Sequence, residues 1–152
     1  MKKLTLAVML LLLISTSITA QEPERRNDGF YFNDKLLNGL HQSFYPEGQL
    51  KSEQNFINGL EDGLSRYYHS TGYLSEIRAW SKGKKHGTWQ TFSADGTITA
   101  EANYSDDMKN GKWFIRDENG TLRYEMNYLN GKKTGSWFMW DENGNLIDEK
   151  NY

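Results

Sequence analysis

Side chains able to do chemistry recur in this sequence at a fixed interval. Glu53, Glu101, Glu125 and Glu149 share one phase of a 24-residue period. Two carboxyls about 5–10 Å apart in a single cleft are the machinery of a glycoside hydrolase. These glutamates come once in every copy but the second, where Ile77 stands, so in a sheet adjacent members are at least two strands apart, roughly 9–10 Å or more. Such a row has no unique cleft, and its plainer chemistry is bonding to neighbouring strands and basic side chains. His41, His69 and His86, the only histidines, fall at three different phases, and there is no HExxH pair and no cysteine. They define no metal site. Ser65 and Ser136 lack the strand–turn–helix setting of a hydrolase nucleophile. The chain therefore reads as non-enzymatic, with no catalytic residue, metal or cofactor.

Binding chemistry is what remains. Trp80, Trp89, Tyr104, Trp113, Tyr128, Trp137 and Trp140, with Arg116 in the same aromatic pattern, are the candidate binding residues. Exposed, they form a strip suited to a protein partner, or to envelope glycan or lipid. The competing reading is that they pack a thin sheet that has little else to pack with. Lys84, Lys85, Lys109, Lys132 and Lys133 recur nearby, where anionic headgroups could meet them.

The elements that position these residues are set by glycine. Gly39, Gly63, Gly87, Gly111 and Gly135 are spaced by 24 residues, as are Gly48, Gly72, Gly96, Gly120 and Gly144. An unbroken period of this length marks a stacked repeat. A third glycine recurs as Gly59, Gly83 and Gly131, with Asp107 in its place in the third copy. Segments such as Asp117-Glu118-Asn119-Gly120 carry the chemistry of a type I turn closed by a left-handed glycine and a bulge. Outside the first residues no stretch has helical apolar spacing. The expected fold is all-β: an elongated single-layer antiparallel meander of five hairpin repeats, each 24 residues long, with a leading half-repeat at Phe30–Phe32. That leading piece is expected to cover the first strand edge, and the last strand to offer a docking edge.

Counted from each lattice glycine, the second position is His41, Ser65, Trp89, Trp113 or Trp137, and the fifth is Phe44, Tyr68, Phe92, Arg116 or Trp140. Turn centring pairs the fifth position with the eleventh: Phe44 with Leu50, Tyr68 with Leu74, Phe92 with Ile98, Trp140 with Leu146. Across the next turn it sets Trp80 beside Trp89, Tyr104 beside Trp113 and Tyr128 beside Trp137. The second and fifth positions differ in parity, which sends them to opposite faces of a regular strand. A bulge in each first strand is the expected reconciliation.

Lys2 and Lys3, the apolar run from Leu4 to Ile14 and the small-residue exit ending at Ala20 read as a secretory leader over residues 1–20, cleaved after Ala20. Residues 21–29 read as a linker and 30–152 as the repeat domain. All seven Phe, five Trp and nine Tyr follow the leader. Without Lys2 and Lys3, 16 basic residues face 20 acidic ones, which argues against a nucleic-acid partner. Nothing after the leader is apolar enough to cross a bilayer as a helix. A secreted or periplasmic location is expected, and the absence of cysteine leaves stability to packing and backbone pairing.

The unit from Lys109-Asn110-Gly111-Lys112-Trp113 through Asn119-Gly120-Thr121-Leu122 to Glu125-Met126-Asn127-Tyr128-Leu129-Asn130-Gly131-Lys132 resembles the bacterial variant of the MORN repeat. The resemblance runs from Phe30 to Tyr152 and is strongest in the last two copies. It implies a single-layer scaffold for proteins or lipids. Some bacterial members are catalogued as antitoxins, so the resemblance also implies an antitoxin or immunity role, against which the export leader argues. The leading expectation is an exported scaffold for protein–protein interaction.

Overall fold

The computed structural model describes residues 22–152, so the leader expected over residues 1–20 lies outside the described part. The described residues fold as β-strands without a helix. Strands β1 (Glu24–Arg26), β2 (Gly29–Phe32) and β3 (Lys35–Leu36) form a small antiparallel sheet. Thereafter a long hairpin recurs, each one after the first led in by a two-residue strand. The first unit is β4 (Gly39–Phe44) and β5 (Leu50–Ile57). The second is β6 (Leu60–Glu61), β7 (Gly63–Tyr68) and β8 (Leu74–Ser81). The third is β9 (Lys84–Lys85), β10 (Gly87–Phe92) and β11 (Ile98–Ser105). The fourth is β12 (Met108–Lys109), β13 (Gly111–Arg116) and β14 (Leu122–Leu129), and β15 (Lys132–Lys133), β16 (Ser136–Trp140) and β17 (Leu146–Asn151) form the fifth. These fourteen strands make one open antiparallel sheet running from β4 to β17. The all-β repeat meander is the fold.

Two turn types alternate, each with a physical cause. At the hairpin tips, Gly120 N–H bonds the Asp117 carbonyl at 3.0 Å, and Asp117 N–H closes the loop on Thr121. The Asp117 carboxylate takes the N–H groups of Asn119 and Thr121 at 3.1 and 3.0 Å. Gly120 at φ +83° then turns the chain where an L-residue is strained. Between units, two-residue turns place both residues in the left-handed region, as at Asn130 (φ 49°) and Gly131 (φ 80°). Asp107, standing for glycine, also sits there at φ 69°, and its carboxylate accepts the Lys85 N–H at 2.9 Å. Every lattice glycine has positive φ.

The cross-turn pairings form as expected: Phe44 faces Leu50, Tyr68 Leu74, Phe92 Ile98 and Trp140 Leu146. Each hairpin also carries a register shift beside its fifth position. The expectation that the bulge lies in the first strand is wrong. Ser43 pairs Ser52 and Phe44 pairs Leu50, so the extra residue is Lys51 in the returning strand. Ser75, Thr99, Arg123 and Ile147 occupy the same place in the later copies. The first strand therefore keeps its alternation, and its second and fifth positions face opposite ways, as parity requires.

A second irregularity falls between units. Ile57 pairs Leu60 and Ser52 pairs Tyr67, so eight residues from 60 to 67 run against six. The extra length lies around Asp62 and Gly63, and it opens a gap that the side chain at the second position fills. In the leading segment, Glu24–Arg26 forms a strand inside the stretch expected as linker. Phe30 N–H donates to the Gly59 carbonyl at 2.7 Å, and Gly59 N–H to Leu37 at 2.8 Å. Among the described residues no ladder joins this small sheet to β4, so it does not cover that edge as a paired strand. It is held by those bonds to Gly59 and by ring packing, Phe30 against Phe56 at 5.2 Å and Phe32 against His41 at 6.1 Å.

Candidate functional site

Burial divides the molecule. Among the described residues, Phe56 (2% exposed) is the buried hydrophobic residue, and Ser43, Ser52, Glu61 and Ser65 are the buried polar ones. All five lie in the first two units. From Trp80 in the second unit on, the same face carries a column of half-buried rings. Trp80, Trp89, Tyr104, Trp113, Tyr128, Trp137 and Tyr152 follow one another with centroids 4.8, 5.4, 5.1, 5.2, 5.1 and 4.9 Å apart. The three expected ring pairs are every second contact of this column. The others lie within a hairpin, so the stack is continuous.

Each tryptophan at the second position is also held by its polar atom. Trp89 Nε1–H donates to the Ala79 carbonyl at 2.8 Å, Trp113 to Asn103 at 2.9 Å and Trp137 to Asn127 at 3.0 Å. Those carbonyls also receive a backbone N–H, from His86, Asn110 and Thr134. The indole thus occupies the gap between units and bonds its rim. A lysine closes the other side. The ammonium groups of Lys85, Lys109 and Lys133 lie 4.3–5.1 Å from the ring centroids of the Trp–Tyr pair in their units. Lys109 and Lys133 also point donors at Tyr128 and Tyr152 hydroxyls, at 3.5 and 3.3 Å. Such cation–π contacts contribute about 0.5–1 kcal/mol each when exposed. Three of the five lysines expected to meet anions are therefore engaged with rings of their own sheet.

Of the candidate binding residues, Trp80, Trp89, Tyr104, Trp113, Tyr128 and Trp137 come together in this column. Arg116 and Trp140 do not join them. They lie on the opposite face, where Arg116 stands over Phe114 at 5.4 Å and 4.0 Å from Glu101. The Trp140 ring is 5.7 Å from Phe138. That face also holds the glutamate row, whose members bond across strands: Glu53 with Gln42 and Tyr68, Glu101 with Gln90, Glu125 with Lys112.

Two concavities lie on the tryptophan face. A groove of about 380 Å³ runs over the last two units, lined chiefly by Ile115, Tyr124, Met126, Trp137, Met139 and Tyr152. Ile115 is 42% and Tyr152 51% exposed. Apart from Trp137 and Lys133, which also lines it, its lining was not singled out by the sequence, although alternation outward from Trp113 and Trp137 leads straight to Ile115 and Met139. The second, of about 370 Å³, is a polar pocket where the small leading sheet meets the second unit, with Arg25, Glu61 and Trp80 in its wall.

Around Glu61 the repeat changes character. Ser43 and Ser52 hydroxyls bond at 2.8 Å, Ser52 bonds Gln54 at 3.3 Å, and the Gln54 amide donates to Glu61 at 3.1 Å and Tyr67 at 3.2 Å. The Arg78 guanidinium lies 4.4 Å from the Tyr67 ring. Loss of water raises the Glu61 carboxyl above its ordinary range, against the Gln54 bond and the pull of Arg78 and Arg25.

A family model described as the MORN repeat variant matches residues 37–58, 85–106, 109–130 and 133–152, over half of the chain. The chain belongs to this family. No curated protein matches it. As a MORN-variant array it is a repeat scaffold of the kind used for binding. The second unit, which holds Glu61 and Ser65, falls between the first two matched stretches. In that unit the recurring lysine is Glu61 and the recurring tryptophan is Ser65. Among the described residues no helix is long and apolar enough to cross a membrane.

Proposed function

We propose that this protein is an exported, non-enzymatic MORN-variant scaffold that binds a protein partner at or beyond the cell envelope. The leader-like residues 1–20 support export. The observation that carries the binding reading is the open apolar groove over the last two units. Its chemistry favours protein over glycan or lipid. The indole N–H groups of Trp89, Trp113 and Trp137 are taken by backbone carbonyls, and lysine ammonium groups cap the rings. A sugar needs open ring faces and free polar groups beside them. What stands open here is the side of Ile115, Met126 and Met139, which suits apolar side chains of another chain.

The test is saturable binding of envelope proteins to immobilised residues 21–152, repeated with Ile115→Asp. A defined protein partner whose binding drops at least about tenfold in the variant is expected. A tryptophan blue shift with liposomes or glycan, without any such partner, overturns the reading.

A further inference from the structure

The second unit lacks the cation that the three later units carry. Lys85, Lys109 and Lys133 each stand two residues before a lattice glycine and place an ammonium over an aromatic pair. The corresponding residue of the second unit is Glu61, and the ring at its seventeenth position is Trp80. Glu61 is 8% exposed, with the Gln54 amide as its hydrogen-bond donor and, among the described residues, no cationic group within ion-pair distance. Among the same residues Trp80 has no cation over its ring, and its Nε1 is buried without a partner. Both residues line the same pocket of about 370 Å³.

The other charges around that pocket do not fill the vacancy in the pattern. Arg26 is held by Glu24 at 2.7 Å and Asp34 at 2.6 Å. Arg25 and Arg78 pull on Glu61 only from beyond ion-pair distance: Arg25 lies 5.3 Å from the Phe30 ring, and Arg78 is paired with Glu76 at 2.8 Å and lies 4.4 Å from the Tyr67 ring. Asp28 and Asp107, also in the wall, add negative charge. We propose that this pocket takes the ammonium group of a lysine side chain on a peptide partner, with Glu61 as counter-ion and Trp80 as aromatic wall. A peptide supplies two things. Its ammonium answers Glu61, and its backbone carbonyl is the acceptor that Trp80 Nε1–H lacks. A free amine supplies only the first. The proposal rests on the protein-partner reading, and it adds a second contact point some units away from the apolar groove.

The experiment follows the five indole N–H signals of residues 21–152 by NMR, with Trp80 assigned through Trp80→Phe. The probes are an end-blocked Gly-Gly-Lys-Gly-Gly peptide, the same peptide acetylated on its lysine, and n-butylamine. The lysine peptide is expected to shift the Trp80 signal saturably. The acetylated peptide should leave it in place, and butylamine should need at least about tenfold more ligand. Glu61→Gln, which keeps the bond to Gln54, should abolish the shift while the other four signals stay put. Glu61→Lys, which installs the internal cation of the later units, should abolish it too.

No shift with the lysine peptide overturns the proposal, as does an equal shift with the acetylated peptide or in Glu61→Gln. Butylamine acting as well as the peptide overturns the peptide assignment in favour of a free amine. Ile115→Asp, which tests the groove, should leave this shift unchanged. Failure here with the groove result intact therefore removes only this pocket.

Discussion

The first two units and the last three solve one structural problem in different ways. Each unit carries two extra residues between β-hairpins, and each extra pair opens a gap in the sheet. Units three to five fill the gap with an indole bonded to its rim and capped by a lysine. Units one and two fill it with small polar side chains, a buried glutamate and rings from the leading sheet. The first solution is self-contained and repeats without change. The second leaves His41 Nε2, Ser65 Oγ and Trp80 Nε1 buried without partners. Unpaired buried polar atoms cost about 1–3 kcal/mol each. A repeat array gives up regularity of this kind where one unit does something its neighbours do not.

The largest test of that contrast is to remove the filler from each half. Trp113→Ala deletes two ring contacts, at 5.1 and 5.2 Å, and the bond to the Asn103 carbonyl. It should cost about 3 kcal/mol, at the low end for Trp→Ala because the ring is half-buried. Ser65→Ala removes an unpartnered hydroxyl and should change stability by less than about 0.5 kcal/mol. Urea unfolding of both variants checks this. Equal losses would mean that the two halves are filled alike.

The hairpin tips provide a control, because their geometry is the same in both halves. Gly120→Val forces a β-branched residue to φ +83° and brings its Cβ within 3.4 Å of Thr97 Cγ2. It should cost about 2 kcal/mol. Gly48→Val meets nothing within 4 Å at φ +92° and should cost slightly less. Thermal melts that leave Gly120→Val at wild-type stability would disprove the turn assignment.

A third test converts one half into the other. Glu61→Lys and Ser65→Trp together rewrite the second unit in the pattern of the third. Ser65→Trp alone places an indole where Glu61, Tyr67 and Gln54 now bond, and overpacking of this kind costs about 1–3 kcal/mol. The double variant should recover about 1 kcal/mol beyond additivity, since the new ammonium lies over the new ring. A cycle with no coupling would show that the lysine and the tryptophan act independently.

These contrasts explain what the sequence could and could not convey. Turns were legible because left-handed backbone needs glycine, aspartate or asparagine at fixed places, so the period, the hairpins and the pairing of Phe44 with Leu50 followed. The bulge was placed in the wrong strand because Lys51, Ser75, Thr99, Arg123 and Ile147 share no side-chain chemistry. Lys51 and Ile147 are exposed there, while Ser75, Thr99 and Arg123 donate to the carbonyls of Tyr67, Thr91 and Trp140, so no single residue type marks the bulge. The site was legible only in part. Trp89, Trp113 and Trp137 stand out by type, but their indoles turn out to be committed to the sheet. Ile115, Met126 and Met139 are ordinary strand residues, and only the face they share with the rings makes a groove. Glu61 drew no notice in the sequence, although it stands in phase with Lys85, Lys109 and Lys133. Its significance needed the knowledge that those lysines cap rings.

The smallest expected effect separates the halves by pH. Burial raises the Glu61 carboxyl above 4.5, and the Gln54 bond, Arg78 and Arg25 only partly offset it. A raised folded pKa means that the native state keeps a proton over a window in which the unfolded chain has released it. Above that window a carboxylate is held away from water and stability is lost. As pH falls through the folded pKa towards 4.5, the loss is withdrawn. Glu61→Gln carries no such charge at any pH. It should therefore be more stable than the native protein at pH 7, and the gap should close as pH approaches 4.5. The last unit responds in the opposite sense and in a different range. Asp141, held below its ordinary 3.8 by the Asn145 side chain and backbone bonds, contributes stability that is lost only on further acidification. Urea unfolding of native and Glu61→Gln protein at pH 7 and pH 4.5 thus reads Glu61 without interference from the hairpin tips. A gap that stays constant between those two pH values would show that Glu61 bears no burial penalty, and with it that the first two units are no less settled than the last three.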